Sequence, residues 1–451
     1  MIHHALKIIK EVCIGCSRCM NSCPTGALRI RNGKACLIEE RCVDCGECYR
    51  VCPVEAIIVE HDDFKKIFDF KCRVALVPAI LISQFEQRYS VKEIYSAIRE
   101  NGFTHVYEVE HASVILPGLI DKIIDKSPVK PIISSYCPAI IRLIQVKFPE
   151  LTENIMRLCT PVDIAGVYFR KLLNDSGVDN SDIGIFYITP CAAKIAAVKS
   201  PVGEEKSSID GVINLDFIYN RIYSVLSSSS MKIYPFKEHE NFRPGEISWS
   251  LTGGEAENLK TDKALSIDGI GNVIKFLEQV ENRELKGVDF LELRACDESC
   301  AGGILTVENR FLAADRLRKR SKTYKRGNSV ESDIFSYKEL IDRASLIEEI
   351  KPRSVDILDE DFYQAMLKMQ KLKEAEESLP GVDCGICGSP NCKSLARDYI
   401  KGEAKLEYCF FILQRLIENK KLTPQESGEI LRAVWGNKKF DGEIDESKKS
   451  D

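Results

Sequence analysis

Cysteine is the residue type in this chain that offers the most chemistry. The 451 residues include 19 cysteines but only six histidines, and no histidine stands at zinc-finger spacing from a cysteine. Clustered thiols in a chain too large to need disulfides indicate metal ligands or redox groups, provided that the compartment is reducing. Because the ligand sets are all thiolate, they favour iron–sulfur clusters over zinc.

The first cysteines form an internal repeat with an offset of 29 residues: Cys13, Cys16, Cys19, Cys23 and Pro24 recur as Cys42, Cys45, Cys48, Cys52 and Pro53. Each half reads C-x2-C-x2-C-x3-C-P and resembles a bacterial two-cluster ferredoxin, in which the fourth cysteine ligates the other cluster. The resemblance implies one [4Fe-4S] cluster on Cys13, Cys16, Cys19 and Cys52, and a second on Cys42, Cys45, Cys48 and Cys23. The alternative is a pair of four-cysteine zinc sites, which usually separate two C-x2-C pairs by a long loop.

A second compact group lies near the end of the chain, at Cys384, Cys387, Cys392 and Cys409. The spacing C-x2-C-x4-C-x16-C resembles the small [4Fe-4S] module of electron-transfer and corrinoid iron–sulfur proteins. The resemblance implies a third accessory cluster here, and structural zinc is the alternative.

Four more cysteines, Cys137, Cys191, Cys296 and Cys300, are dispersed in the segments SSYCPAI, TPCAAK and ACDESCAGG. Each segment follows an apolar strand-like run, and from about residue 70 to 313 such runs alternate with amphipathic helical stretches. This alternation predicts α/β layers with largely parallel strands. Because the carboxyl ends of parallel strands meet at one crevice, the four thiols could surround a single cluster at one sheet end.

The three segments resemble, in order and relative position, the active-site signatures of the [FeFe] hydrogenases, and the resemblance covers about the first 315 residues. It implies an α/β catalytic domain with an H-cluster at the strand ends, flanked by a small α+β ferredoxin domain and a small helical iron–sulfur domain. It also implies that the four dispersed cysteines bind the [4Fe-4S] part of the H-cluster. Cys300 would bridge to a diiron unit that carries CO, cyanide and an azadithiolate.

The resemblance implies roles for further residues. Lys194 would donate to a cyanide ligand through a charge-assisted hydrogen bond, the alternative being an ordinary helix lysine. Gly302 and Gly303 would let the backbone approach the cofactor closely. The residues expected to line the cofactor are Pro78, Ala79, Ser135, Pro190, Arg294, Gly302 and Gly303. The implied reaction is reversible, heterolytic cleavage of H2 to protons and electrons, with the electrons passing through the ferredoxin-type clusters.

The sequence departs from the family pattern along the proton path. Tyr136 stands where efficient members have a cysteine, and a phenol titrates near 10 against about 8.5 for a thiol. The paired glutamates earlier in the chain have no match, and Arg294 replaces a methionine, with its side chain pointing either toward the cofactor or away from the strand. These changes predict slow turnover and resemble the sensory branch of the family, which implies a role in H2 or redox sensing.

Two carboxylates are candidates for a substitute proton relay beside Tyr136. Glu298 lies between two ligand cysteines, and Glu255 lies in the loop LTGGE. For each residue the alternative is a solvated surface acid.

The cysteine groups and the helical patterns divide the chain into a ferredoxin-like domain at 1–62, a hydrogenase domain at 63–330, a helical linker at 331–377, a C-terminal [4Fe-4S] domain at 378–436 and a flexible tail at 437–451.

Composition excludes several classes of function. The net charge of -5 argues against a nucleic-acid partner, and the longest apolar run, 74–82, is too short for membrane insertion. The start MIHHALKIIKEVC lacks a signal-peptide core, so we expect a cytoplasmic protein. The expected partners are H2 and protons as substrates and a redox or signalling protein, with a homodimer possible. The alternative functions are a non-catalytic iron–sulfur assembly relative without the diiron unit and a pure electron-transfer module.

Overall fold

The computed structural model describes residues 2–228, 231–235, 242–324, 338–353 and 358–441. The described residues form two compact units. The larger unit lies within 2–5, 43–46 and 59–353, and the smaller unit within 6–42, 47–58 and 358–441. Parts of the predicted linker and tail, at 331–337, 354–357 and 442–451, lie outside the described residues. In the parts of the chain that the structure describes, no helix is long and apolar enough to cross a membrane.

The main sheet of the larger unit has four strands, and all its pairings are parallel. In spatial order the strands are His105–Glu108, Cys72–Val77, Ile183–Thr189 and Gly211–Asn214. Every residue of Ile183–Thr189 is buried. Central strands of parallel sheets are covered on both faces, so they are apolar along nearly their whole length, as this strand is.

A second parallel sheet in the same unit has three strands, in the order Ala264–Ile267, Phe290–Leu293 and Ile132–Ile133. Leu291 lies opposite Ile133, and Leu293 lies opposite Ile267. These side chains belong to a buried apolar cluster. The three strands therefore end in a fixed register, which positions the loops that follow them.

Helices of the larger unit connect and cover these strands. Several begin with a clear cap: Thr160 and Asp163 form a capping box, and Pro161 occupies the first turn, where its missing N–H costs nothing. The described helices are Ala79–Ile82, Val91–Glu100, Leu116–Lys126, Pro138–Lys147, Pro161–Asp175, Ala192–Lys199, Leu215–Leu226, Pro244–Ile247, Ile270–Glu281, Arg310–Thr323 and Lys338–Asp342.

The ferredoxin-like part of the smaller unit is built from short elements. Strand Leu6–Ile8 pairs with Ile57–Val59, and Leu28–Arg31 forms an antiparallel hairpin with Lys34–Leu37. The hairpin turns at Asn32 and Gly33, which both have positive φ, as a two-residue Asn-Gly turn requires. The short helices Arg18–Ser22 and Glu47–Arg50 carry Cys19 and Cys48, so the sequence repeat is also a structural repeat.

The C-terminal part of the smaller unit is helical, with helices Phe362–Ser378, Cys392–Ile400, Phe410–Glu418 and Pro424–Trp435. Its small core contains Ala375, Leu395 and Ala396 together with Cys387 and Cys409. The predicted fold class is confirmed: largely parallel α/β layers accompany a small ferredoxin-like part and a small helical part.

Candidate functional site

Each of the three cysteine segments directly follows a parallel strand of the larger unit. Cys191 follows Ile183–Thr189, Cys137 follows Ile132–Ile133, and Cys296 follows Phe290–Leu293. The structure corrects one expectation, because these strands belong to two sheets and not to one. The three loops still converge, since Cys137 and Cys300 both act on the pKa of Cys191.

Three of the four dispersed thiols lie close enough to influence one another's protonation. Burial raises the pKa of Cys191 to about 12, with Lys194 opposing the rise and Cys300 and Cys137 adding to it. Cys137 and Cys191 are the N-caps of helices Pro138–Lys147 and Ala192–Lys199. The positive end of a helix dipole favours a thiolate there. Cys296 lies four residues before Cys300 in the same loop.

Lys194 is the buried cation at this thiol cluster. Its ammonium lies 3.7 Å from Cys300 Sγ, 3.4 Å from the Tyr136 hydroxyl and 3.3 Å from the Tyr187 hydroxyl. Burial opposes its charge, but Cys300 and the two phenols raise its pKa well above the usual value. Lys194 lies in helix Ala192–Lys199 but is only 8% exposed, so it is a buried helix lysine and not a solvated one, and its role toward a cyanide ligand stays a prediction.

Tyr136 is enclosed between two cations. Its hydroxyl lies 3.6 Å from Cys300 Sγ, and the Arg294 guanidinium stacks 3.8 Å from the centre of its ring. Burial and the neighbouring Cys300 raise the pKa of Tyr136 well above its usual value. The phenol therefore stays protonated at neutral pH, and Arg294 points into the unit rather than away from it.

Arg294 is held by two buried carboxylates. It pairs with Glu255 at 2.9 Å and with Glu292 at 3.2 Å. Glu255 also accepts a hydrogen bond from the Ser134 hydroxyl at 2.6 Å. Burial raises the pKa of Glu255 to about 7, although Arg294 opposes that rise. Glu255 is 1% exposed, so its interpretation as a solvated surface acid is wrong.

Glu110 is a functional candidate that the sequence analysis missed. Its carboxylate accepts the Ala79 N–H at 2.8 Å, and it is 3% exposed. Burial and the nearby Glu108 raise the pKa of Glu110 to about 8, while Lys194 lowers it. Its charge also acts on Tyr136 and Tyr187. The sequence places two acids, Glu108 and Glu110, at the end of strand His105–Glu108, but it does not reveal which of them has a cationic partner.

The neighbouring Glu108 has a different environment. Arg320 pairs with both of its carboxylate oxygens, at 2.6 and 2.8 Å, and Tyr95 donates a hydrogen bond to it. Burial alone would raise the pKa of Glu108, but Arg320 prevails and lowers it. Glu108 is therefore a structural ion-pair partner, which leaves Glu110 as the titratable member of the pair near neutral pH.

The structure does not bring Glu298 into this cluster. Its carboxylate pairs at 2.7 Å with Arg318, and both side chains are partly exposed. Among the described residues, no contact joins the Glu298 side chain to Tyr136 or Lys194. Its backbone adopts a positive φ of 58°, which shapes the loop between Cys296 and Cys300.

The two glycines after Cys300 are required by the loop itself. A Cβ on Gly302 would lie 2.0 Å from the Asp297 carbonyl oxygen, and one on Gly303 would lie 2.5 Å from the Pro190 oxygen. That Pro190 oxygen also accepts the Leu305 N–H. Gly303 thus packs against the backbone that precedes Cys191, while Gly302 packs within its own loop, and the approach of both to a cofactor stays a prediction.

The remaining predicted pocket residues lie near the same region. Ser135 is buried and donates to the Leu158 carbonyl at 2.7 Å. Pro78 precedes helix Ala79–Ile82 and acts as its N-cap, which places the Ala79 N–H toward Glu110. A cavity of about 560 Å³ is lined by Ser135, Tyr136, Tyr187 and Lys194 on one side and by residues including Cys159 and Leu346 on another.

Several cysteines of the smaller unit also lie close enough to influence one another's pKa. Burial raises the pKa of Cys19 to about 12, and Cys13, Cys16 and Cys52 add to the rise. Burial likewise raises the pKa of Cys48 to about 12, with Cys23 as the next contributor. In the C-terminal part, Cys409 and Cys384 act on Cys387, whose pKa burial raises to about 11. None of the 19 cysteines, all within the described residues, forms a disulfide.

Three family models match parts of this chain. The model described as "Iron only hydrogenase large subunit, C-terminal domain" matches residues 71–260. A 4Fe-4S dicluster domain matches residues 12–56, and an Fe-S cluster family matches residues 379–411. The matched ranges cover the ferredoxin-like repeat, the α/β region with two of the three signature segments, and the C-terminal cysteine group.

One curated protein and two solved structures are similar to this chain. Iron hydrogenase 1 of Clostridium pasteurianum is 23% identical over 290 residues, which are 51% of this chain and 49% of that protein. This chain thus spans about half the length of that curated relative. Two solved structures are similar. [FeFe]-hydrogenase HydA1 from Chlamydomonas reinhardtii has a TM-score of 0.48 at 14% identity, covering 62% of this chain and 94% of that one. The structure of HydA(deltaEFG), whose title describes stepwise H-cluster assembly, has a TM-score of 0.47 at 15% identity and covers 62% of this chain and 94% of that one.

The family matches and the curated relative support the resemblance found in the sequence: residues 71–260 are similar to the C-terminal domain of iron-only hydrogenase large subunits, and two further regions are similar to iron–sulfur domains.

Proposed function

We propose that this chain is an oxidoreductase of the [FeFe] hydrogenase type, which reversibly cleaves H2 to protons and electrons, slowly, in the service of H2 or redox sensing. The observation that supports this most is the buried Lys194 ammonium, 3.7 Å from Cys300 Sγ within the thiol cluster. A cation that is retained at such burial indicates an anionic neighbour.

The residues of the site fit an H-cluster by their chemistry. Four thiols, Cys137, Cys191, Cys296 and Cys300, form the soft donor set that iron–sulfur clusters take. Lys194 supplies a buried donor for an anionic ligand. Arg294 Nη1 is buried and has no hydrogen-bond partner among the described residues, so a further donor is available beside Tyr136. When bound, an H-cluster supplies the heterolytic cleavage of H2.

The chain's own residues supply position, charge and a dry surrounding. In this proposal the four cysteines bind the cluster and Lys194 holds an anionic ligand. Arg294, fixed by Glu255 and Glu292, orients the Tyr136 ring. The burial of Lys194, Tyr136 and Arg294 strengthens each of these electrostatic interactions because water is excluded.

Proton transfer is the step at which this chain would be slow. Tyr136 has a raised pKa, so it gives up a proton less readily than the thiol it replaces. Glu110 has a pKa of about 8, which lies near the operating pH. We infer that Glu110, and not the exposed Glu298, is the carboxyl group that exchanges protons with the site. Glu255 is less suited because Arg294 and Ser134 hold it.

The accessory sites would hold three [4Fe-4S] clusters. One would be bound by the ferredoxin-type set Cys13, Cys16, Cys19 and Cys52. Another would be bound by the set Cys42, Cys45, Cys48 and Cys23. The third would be bound by Cys384, Cys387, Cys392 and Cys409. They would carry electrons to a redox or signalling partner.

Infrared spectroscopy of the chain after maturation tests this proposal, because iron-bound CO and cyanide have bands that other protein groups lack. We expect such bands in the wild type and slow H2 oxidation. Lys194→Ala should keep the four-iron clusters but lose most of the CO and cyanide signal, since an anionic ligand loses its buried donor. Lys199→Ala, in the same helix but paired with Asp62 near the surface, is the matched control and should retain the bands.

Two results would refute the proposal in different ways. A wild type that matures without CO and cyanide bands, with its four-iron clusters intact, would favour the assembly relative or the electron-transfer module. Unchanged bands and unchanged H2 oxidation in Lys194→Ala would refute the role of Lys194 alone.

A further inference from the structure

Within the smaller unit, the C-terminal cysteine loop packs directly on the ferredoxin-type hairpin. The Ile30 N–H donates to the Gly388 carbonyl at 2.8 Å, and Gly388 directly follows Cys387. A Cβ on Gly388 would lie only 2.3 Å from the Ile30 carbonyl oxygen, and Gly388 has a φ of +71°. The two backbones thus approach as closely as the absence of a side chain allows.

Ile30 also belongs to the first ferredoxin-type site. It is fully buried, and its side chain lines a small cavity together with Cys13, Cys16, Cys19 and Cys52. The same residue therefore contacts the surroundings of one cysteine set with its side chain and the loop of another with its backbone. A second contact runs in parallel, because Gly385 lies against Met20, the neighbour of Cys19.

Buried charges fix this arrangement. Asp398 pairs with Arg29 at 2.5 Å and with Arg31 at 3.0 Å, and all three side chains are at least four-fifths buried. Arg31 also donates to the Gly388 carbonyl at 2.8 Å. The bidentate Arg29–Asp398 contact sets both distance and orientation.

The hairpin is held at its turn as well. Asn32 N–H and Gly33 N–H donate to the carbonyls of Ala433 and Val434, and the Trp435 indole donates to the Ile386 carbonyl at 2.8 Å. Ile386 and Gly388, the two neighbours of Cys387, are therefore both hydrogen-bonded to other segments. Cys384, in contrast, is exposed.

We infer that the C-terminal four-cysteine site and the site of Cys13, Cys16, Cys19 and Cys52 form one electron-transfer pair, bridged at Ile30 and Gly388. The inference rests on the ligand sets proposed above. One electron leaves the reduced cluster of the pair, [4Fe-4S]+, and reduces the oxidised [4Fe-4S]2+ cluster, without a proton. What the protein contributes is the fixed placement of the two redox groups.

Electron paramagnetic resonance of the full chain, loaded with iron and fully reduced with dithionite, tests the pairing. The wild type should show a spectrum broadened by magnetic interaction between two clusters. Cys384→Ala should lose the signal of one cluster, and the remaining spectrum should narrow to that of the two ferredoxin-type clusters, which still interact with each other. Cys36→Ala removes a thiol outside the proposed ligand sets in the neighbouring strand and should leave the broadened spectrum unchanged.

Two glycine variants distinguish the effect of the Ile30–Gly388 contact from the effect of losing a cluster. Gly388→Ala should keep the iron content but weaken the magnetic interaction, because the added Cβ pushes the loop away from Ile30. Gly402→Ala, at a φ of +76° but with open space around it, should change neither.

A wild-type spectrum equal to the Cys384→Ala spectrum plus the signal of one isolated cluster, at full iron content, would overturn the pairing and leave the ligand sets standing. Zinc in place of iron at the C-terminal site would overturn both that ligand assignment and the pairing.

Discussion

At the scale of single residues, the site combines a neutral phenol with two cations. Tyr136 lies between Lys194 and Arg294, each of which also contacts its ring face. A desolvated cation–π contact contributes about 2 kcal/mol, so this environment holds the ring firmly. In the proposed function, a fixed and protonated side chain thus occupies the position for which the family resemblance predicts a thiol, and proton exchange would depend on a carboxyl group elsewhere.

Glu110→Gln tests which carboxyl group that is. We expect turnover to fall about 10²-fold, the usual contribution of a general acid or base. With a pKa of about 8, Glu110 is a base above that pH and an acid below it. Wild-type H2 oxidation should therefore rise as the pH increases through about 8, and proton reduction should fall. Both trends should disappear in Glu110→Gln, as measured by rates across pH at equal cofactor loading.

Glu298→Gln is the matched control for this prediction, because it changes a partly exposed acid near the same loop. Its rates should stay close to the wild type at every pH. If Glu298→Gln slowed turnover and Glu110→Gln did not, the proton path proposed here would be wrong.

At the scale of elements, the sequence was informative where residues form regular patterns over short stretches of chain. The C-x2-C-x2-C-x3-C-P repeat and the three cysteine segments predicted which loops carry the thiols, and apolar alternation predicted the parallel strands. The sequence could not show that strands Ile132–Ile133 and Ile183–Thr189 belong to different sheets, because pairing depends on long-range packing. Nor could it show that Glu108 has Arg320 as its partner while Glu110 keeps a raised pKa, since Arg320 lies 212 residues away in sequence.

The loop that joins Cys296 to Gly303 offers a test at this scale. Gly302→Ala places a Cβ 2.0 Å from the Asp297 carbonyl oxygen, inside van der Waals contact with backbone that cannot easily move. We expect a loss of about 1–3 kcal/mol in stability, typical of overpacking. Gly271→Ala, in the first turn of helix Ile270–Glu281 with open space around it, should instead gain about 0.4–1 kcal/mol, because alanine lowers the entropy of the unfolded chain. Thermal unfolding measures both changes in stability. Equal unfolding midpoints in Gly302→Ala and Gly271→Ala would contradict the steric explanation for Gly302.

At the scale of the whole molecule, the two units differ in how they use cysteine. In the larger unit, thiols lie at the ends of parallel strands beside Lys194, Tyr136 and Arg294, where charge can be set for a reaction. In the smaller unit, thiols lie in short turns and helices without a buried lysine among their described contacts. The first arrangement suits bond cleavage, and the second suits the storage and passage of electrons.

The metal content of the full chain tests this division. Sixteen proposed ligand cysteines form four sets of four, so we expect about 16 iron atoms and as many sulfides per chain before any diiron unit is added. Cys384→Ala should lower the iron by about four atoms, because three thiols hold a [4Fe-4S] cluster poorly. Cys36→Ala should not change it. About 12 iron atoms together with one zinc, the zinc lost in Cys384→Ala, would show that the C-terminal site is structural. That result would restrict electron storage in the smaller unit to the ferredoxin-type repeat.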